Sequence, residues 1–262
     1  MSRYFFMIAP RVVLGFVLLS CSPLLTQGEP GSRKDANNLI VSLLVTMPKG
    51  GGYSATSSAT HDLQSAVQVS GGKLDVKPAA APSTYCSGAT YLVFMRAIQK
   101  LLPESSVGPS LADSLAIKGQ PDGVGVWGRW NANGPGTACL FHELRIGHNF
   151  TSFDEAKPGD FMKIFWTDAV GSREHGHSVI YLGRGTTNGV ETIRFWSSNK
   201  PGGYGEKSVP RSRISFAIFS RLDAPSNITG SMVLPRKNGY LAGLVTRESS
   251  ISEALDQSGI NR

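Results

Sequence analysis

Charge is scarce in this chain. Asp, Glu, Lys and Arg supply 17% of its 262 residues, against about 25% in an ordinary soluble domain. Glycine (30) and proline (15) are somewhat enriched, but short of a collagen or a low-complexity chain. A coiled coil and a wholly disordered chain are excluded on the same grounds. Only three cysteines occur, Cys21, Cys86 and Cys139, with no Cys-x-x-Cys pair and no Cys/His spacing of the zinc type. A structural zinc site is therefore not expected, and no other metal or cofactor is called for. No run of Lys and Arg and no nucleic-acid-binding motif is present, so no nucleic acid partner is expected. Beyond the N-terminus no apolar run is long enough to span a bilayer, which excludes a multi-pass membrane protein. No internal repeat is visible.

What the chain does have begins with a targeting segment. Arg3 and Arg11 flank apolar residues, and residues 12–19 (VVLGFVLL) form an unbroken apolar core of signal-peptide length. Leu18-Leu19-Ser20-Cys21 resembles the bacterial lipobox, in which the cysteine is lipidated and becomes the new N-terminus. Residues 1–21 are read as that signal, Cys21 as the lipidation site, and Ser22 as the outer-membrane sorting type. The alternative is a plain secretory signal cut a few residues later. Removing residues 1–20 takes away Arg3 and Arg11 and no acid, so the net charge falls from +7 to +5. A modest positive charge outside the cytoplasm suits an anionic wall polymer or lipid surface.

Residues 22–38 read as a polar tether, residues 39–222 as the folded domain and residues 223–262 as a polar, poorly ordered tail. Within the domain, 39–46 (LIVSLLVT) is strand or buried helix, since periodicity does not separate the two. Residues 47–58 hold three consecutive glycines, which suit either close backbone approach to a ligand or a flexible loop. A helix is expected over 60–69, capped by Thr60. The strongest helical pattern starts at Ser83 or Thr84, runs through Tyr91, Leu92, Phe94, Met95, Ile98 and Leu101, and stops at Pro103. A short helix is expected over 111–117. Residues 119–136, rich in glycine, tryptophan and asparagine, read as a structured surface loop whose Trp127 and Trp130 pack on the core or line a cleft. Strands follow at 160–167, 177–184, 190–197 and 215–221, with Thr187-Asn188-Gly189 turning a hairpin.

One pattern of residues carries chemistry. Cys86 falls at the start of an apolar helix, where the positive end of the helix dipole favours thiolate. Backbone N–H groups there can bind an oxyanion, and Ser87, Gly88 and Ala89 leave room above the sulfur. Tyr85 and Ser87, together with Trp127 and Trp130, are the candidate substrate contacts. His177 opens an apolar strand and is the candidate base, with His175 as its rival. Pairing Gly185 with Val190 across the hairpin sets residue 198 opposite 177. Asn199, whose amide oxygen can accept from an imidazole, is then the candidate orienting residue, and Ser197 and Ser198 stay open. A different pairing, Cys139 with His142 or His148, lacks a capped helix. The structural alternative joins Cys86 to Cys139 in a disulfide.

Tyr85-Cys86-Ser87-Gly88 at a helix start, Pro158-Gly159-Asp160-Phe161 opening a strand, and His177-Ser178-Val179-Ile180-Tyr181-Leu182-Gly183 together resemble the NlpC-type cell-wall cysteine peptidase family. That family has a CSG-like nucleophile helix, a PGD turn and an HVGIYLG strand on a papain-like core shared with the CHAP amidases. The resemblance covers about residues 84–220. It implies an α+β fold in which the nucleophile helix packs on an antiparallel sheet. It makes Cys86 the nucleophile, His177 the base, Asn199 the nearest match to the third polar residue and Asp160 a structural residue. The 91-residue separation of Cys86 and His177 is longer than in compact members, and the third residue follows no obvious family pattern. The implied activity is thiol hydrolysis of an amide in peptidoglycan stem peptides, by an outer-membrane lipoprotein facing the periplasm. Amidase or acyltransferase chemistry would use the same residues. A non-catalytic envelope lipoprotein is the alternative of a different class.

The N-terminal reading predicts a mature protein that begins at lipid-modified Cys21. Mass spectrometry of the exported protein checks this. An unmodified N-terminus elsewhere, or membrane association unchanged by Cys21→Ala, contradicts it.

Overall fold

Asp35 accepts a hydrogen bond from the Asn37 backbone N–H and so starts the first helix, α1 (Ala36–Leu43). The computed structural model describes Met1 and residues 35–260, apart from 71, 104–105 and 119–122. Cys21, the expected signal and most of the expected tether lie outside the described residues. The run at 39–46 is helical, continuing from α1 into a 3-10 turn over Leu44–Thr46. The folded part therefore starts before residue 39, and the end of the expected tether belongs to it. Asn37 donates to the Asp160 carboxylate at 2.8 Å and to the Pro158 carbonyl at 3.0 Å.

A short strand β1 (Gly50–Gly51) leads to α2 (Ser57–Ala66), which Thr56 caps, four residues earlier than Thr60. The expected helix over 60–69 ends at Ala66. Val67, Gln68 and Val69 alternate as a strand does, and β2 (Val67–Ser70) forms a hairpin with β3 (Lys73–Val76). Then come α3 (Cys86–Leu101), α4 (Pro109–Leu115), α5 (Gly125–Trp130) and α6 (Gly136–Leu144). The expected glycine-rich loop thus contains a helix. Burial of Val126, Trp127 and Trp130 overrides the weak helix propensity of its glycines.

The remaining strands are β4 (Gly147–Phe150), β5 (Phe161–Phe165), β6 (Val170–Gly171), β7 (Gly176–Thr187), β8 (Val190–Asn199), β9 (Gly203–Pro210) and β10 (Phe216–Leu222). Seven strands form one antiparallel sheet in the order β1-β9-β8-β7-β5-β10-β4. The fold is α+β. One face of the sheet packs under α3, where Phe94 stacks on Trp130 at 4.7 Å and both meet Phe161 edge-on. The other face buries Met162, Ile164, Val179, Phe195, Val209 and Phe219.

Asp160 is fully buried at the mouth of β5. It accepts from Arg221 Nε at 2.8 Å, the Lys157 backbone N–H at 2.7 Å and Asn37. One carboxylate thereby joins α1, β5 and β10.

Residues 223–260 are folded, contrary to the expected disordered tail. A 3-10 segment (Pro225–Val233), α7 (Gly239–Gly243), β11 (Glu248–Ser249) and α8 (Ile251–Gln257) cover one end of the sheet. Leu241, Leu244 and Ala254 bury themselves against Phe165, Val170 and Ile218. The fully buried Arg129 guanidinium pairs with Glu143 at 2.6 Å and donates to the Pro235 carbonyl at 2.9 Å. The polar composition of this segment hides its few well-spaced apolar anchors. Leu241→Ala is expected to lower stability by about 2–5 kcal/mol, measured by urea denaturation. An unchanged midpoint would show the segment to be dispensable.

Candidate functional site

Cys86 is the first residue of α3, after Tyr85 in extended conformation. Thr84 fixes this helix start, because its carbonyl accepts from Ser198 Oγ at 2.6 Å and from the Ser54 backbone N–H at 3.1 Å. The sheet and the glycine loop thus hold α3 at its N-terminal turn.

The hairpin β7–β8 differs from the expected register. Its turn has two residues, Asn188 and Gly189, both at positive φ, so Thr187 pairs with Val190 and Gly185 with Thr192. An irregularity between Tyr181 and Gly183 shifts the register by one, and Ile180 pairs with Trp196. Continued to the strand end, this sets 199 opposite 177. His177 Nε2 lies 3.2 Å from Asn199 Oδ1. The Asn199 amide nitrogen donates to the Ser197 and Gly205 carbonyls at 3.1 and 2.8 Å, which leaves its oxygen for the imidazole. That commits Nε2–H to Asn199 and leaves Nδ1 for Cys86, whose thiolate form His177 favours. Trp166 and Phe195 flank the ring at 6.4 and 5.7 Å. Ser197 and Ser198 are spent on the Ser178 and Thr84 carbonyls.

Burial works against a Cys86 thiolate. The hydrogen bond and charge of His177, the Ser178 backbone N–H and the charge of Lys163 outweigh it and bring the thiol down to about 6. Lys163 stands directly opposite Ser178 across β5 and β7. Its ammonium pairs with Glu174 at 2.6 Å, and both side chains are largely buried. Glu174 also accepts from the Gly134 backbone N–H. It thereby links the loop before His177 to the segment after Asn131, whose side chain holds Ser87 at 2.6 Å.

Tyr53 is a site residue that the sequence reading missed. Gly51 sits at φ +77, and a side chain there would meet the Pro82 carbonyl at 1.9 Å. This close approach lets Tyr53 bridge Thr84 and set its hydroxyl 4.0 Å from Cys86 Sγ. Burial, and then the Cys86 charge, push the phenol pKa up, so it stays a donor. Gly51 thus serves close backbone packing.

Beside these groups lies a cleft of about 300 Å³ lined by Tyr53, Trp166, His175, His177, Phe195, Asn199, Lys200, Lys207, Val209 and Arg213. Tyr85, Ser87, Trp127 and Trp130, the expected substrate contacts, do not line it. Trp127 and Trp130 are core residues at 1% exposure. Trp130 donates to the Ser87 carbonyl at 3.1 Å, and Tyr85 packs its ring on Trp127. Trp burial and the Ser87–Asn131 bond make these residues supports of α3. Cys86 and Cys139 are both free thiols, so the alternative disulfide is not formed. Cys139 lies inside α6 in an apolar cluster, and burial, chiefly, pushes its thiol up to about 12. His148 pairs with Asp223 and Glu155, and His142 packs on Gly259, so neither serves Cys139.

Among the described residues no group of three or more His, Cys, Asp or Glu could hold a metal ion, and no helix is long and apolar enough to cross a membrane. No protein-family model, no curated protein and no solved structure matches the chain.

Iodoacetamide at neutral pH is expected to alkylate Cys86 and spare Cys139. The Cys86 rate should fall as the pH drops through about 6, because protonation removes the nucleophile. Lys163→Met should move this fall to higher pH. A midpoint near the ordinary 9.0 in the wild type contradicts the arrangement.

Proposed function

We propose that this chain is an exported thiol hydrolase with a papain-like core of the NlpC type, cleaving amide bonds in peptidoglycan stem peptides. The observation that carries the reading is the line Cys86–His177–Asn199: a thiol at a helix start, an imidazole that favours its thiolate, and an amide oxygen fixing the tautomer. The motif resemblance and the signal-like N-terminus support the choice of polymer and location.

The chemistry follows from the geometry. Cys86 thiolate attacks the amide carbonyl carbon, and the carbonyl oxygen takes the negative charge. Tyr53 hydroxyl and the backbone N–H groups of the α3 first turn are the donors at hand for that oxygen. His177, protonated by the thiol, gives its proton to the nitrogen, and the C–N bond breaks to leave a thioester and a free amine. His177 then takes a proton from water, whose oxygen attacks the thioester. The C–S bond breaks, and Cys86 leaves as thiolate.

The test is digestion of purified sacculi and muropeptides, with products identified by mass spectrometry. Cys86→Ala is expected to abolish release with the circular dichroism spectrum unchanged. His177→Ala should cost roughly 10²–10⁴ in rate, Asn199→Ala less, and Tyr53→Phe roughly 10²–10³ if its hydroxyl meets the oxyanion. Retained hydrolysis in Cys86→Ala, or no cleavage of any muropeptide by the wild type, overturns the proposal.

A further inference from the structure

We propose that the cleft beside His177 holds the leaving half of the substrate, and that this half carries a carboxylate close to the scissile nitrogen, recognised by Lys200, Lys207 and Arg213. The inference rests on the hydrolase reading and adds the chemical class and placement of the departing group.

The placement follows from proton transfer. The base must deliver its proton to the departing nitrogen, so that nitrogen lies against the His177 ring. The cleft is lined by His177 and Asn199 and not by Cys86. The room beyond the imidazole therefore belongs to the amine product. At about 300 Å³ it has the size of one or two amino-acid residues, at the small end of ligand clefts. Trp166, Phe195 and Val209 give it an apolar wall.

The charge follows from the lining. Three permanent cations and no Asp or Glu border the cleft. The Lys200 ammonium lies 4.9 Å from the Tyr53 ring, Lys207 Nζ lies 3.5 Å from the Lys200 carbonyl, and the Arg213 guanidinium lies 6.0 Å from the Trp166 ring. None of the three has an acidic partner among the described residues. On the neighbouring strands β7 and β8 cations are paired: Arg184 with Asp154 at 2.7 Å, and Arg194 with Glu206 at 3.9 Å. Three unmatched cations around a cleft with one apolar wall fit an amine product with a carboxylate. They are exposed to solvent, so each contributes little alone, and their joint effect is screened by salt.

The experiment has two arms. In the first, Cys86 of the full protein is alkylated with iodoacetate and with iodoacetamide, which differ in charge and little in size. Lys200→Gln/Lys207→Gln/Arg213→Gln is expected to lower the iodoacetate-to-iodoacetamide rate ratio roughly tenfold, and high salt should lower the wild-type ratio in the same direction. An unchanged ratio in the triple variant overturns the proposal. In the second arm, muropeptide pairs differ only in whether the leaving-half carboxylate is free or amidated. The wild type should prefer the free acid in kcat/KM, and the triple variant should lose that preference. A preference that follows the acyl-half carboxylate overturns the assignment to the leaving half. If neither member of a pair is cleaved while the alkylation ratio still depends on the three cations, the hydrolase reading falls and the anion site stands.

Discussion

A thiolate at a partly buried helix start needs a cation beside it, because desolvation alone would drive it back to the thiol. The Cys86–His177 contact meets that need, and much of the surrounding structure serves to keep it in register. Asn199 cannot rotate its amide without losing two bonds to the Ser197 and Gly205 carbonyls, so it offers His177 an oxygen and nothing else. Thr84 is held from both sides, by Ser198 of the sheet and by the backbone of Ser54. Lys163 adds positive charge near the sulfur, and its partner Glu174 ties the loop before His177 to the segment whose Asn131 holds Ser87. A site supported this way is preorganised, as the proposed hydrolysis requires.

The parts of this arrangement that were legible in the sequence are those marked by a change of period. Cys86 stands where a polar loop becomes an apolar helix, and His177 where a loop becomes an apolar strand. Asn199 was reachable through the hairpin although the assumed pairing was one residue off. The real turn is tighter than assumed, the irregularity at Tyr181–Gly183 partly offsets it, and the chemistry of the amide singled out the right neighbour.

Other parts were not legible, for physical reasons. Lys163 reads as an ordinary strand lysine, and only its cross-strand place beside Ser178 and the burial of Glu174 give it a role. Tyr53 depends on a contact between two distant backbone segments that glycine permits but no local pattern announces. Trp127 and Trp130 had two fates open, cleft or core, and the core took them, Trp127 against Tyr91 and Trp130 against Phe94 and Phe161. The C-terminal segment is mostly polar because it covers the end of the sheet through a few anchors such as Leu241 and Ala254, and composition averages them away.

The claim on which the account turns is that Cys86 carries the acyl group between amine release and hydrolysis. Peptide mapping after acid quench at early times, with muropeptide as substrate, reads this directly. The account predicts the acyl half in thioester linkage to Cys86, removable by hydroxylamine. An acyl group carried by any other residue, or steady turnover with Cys86 never acylated, would contradict it.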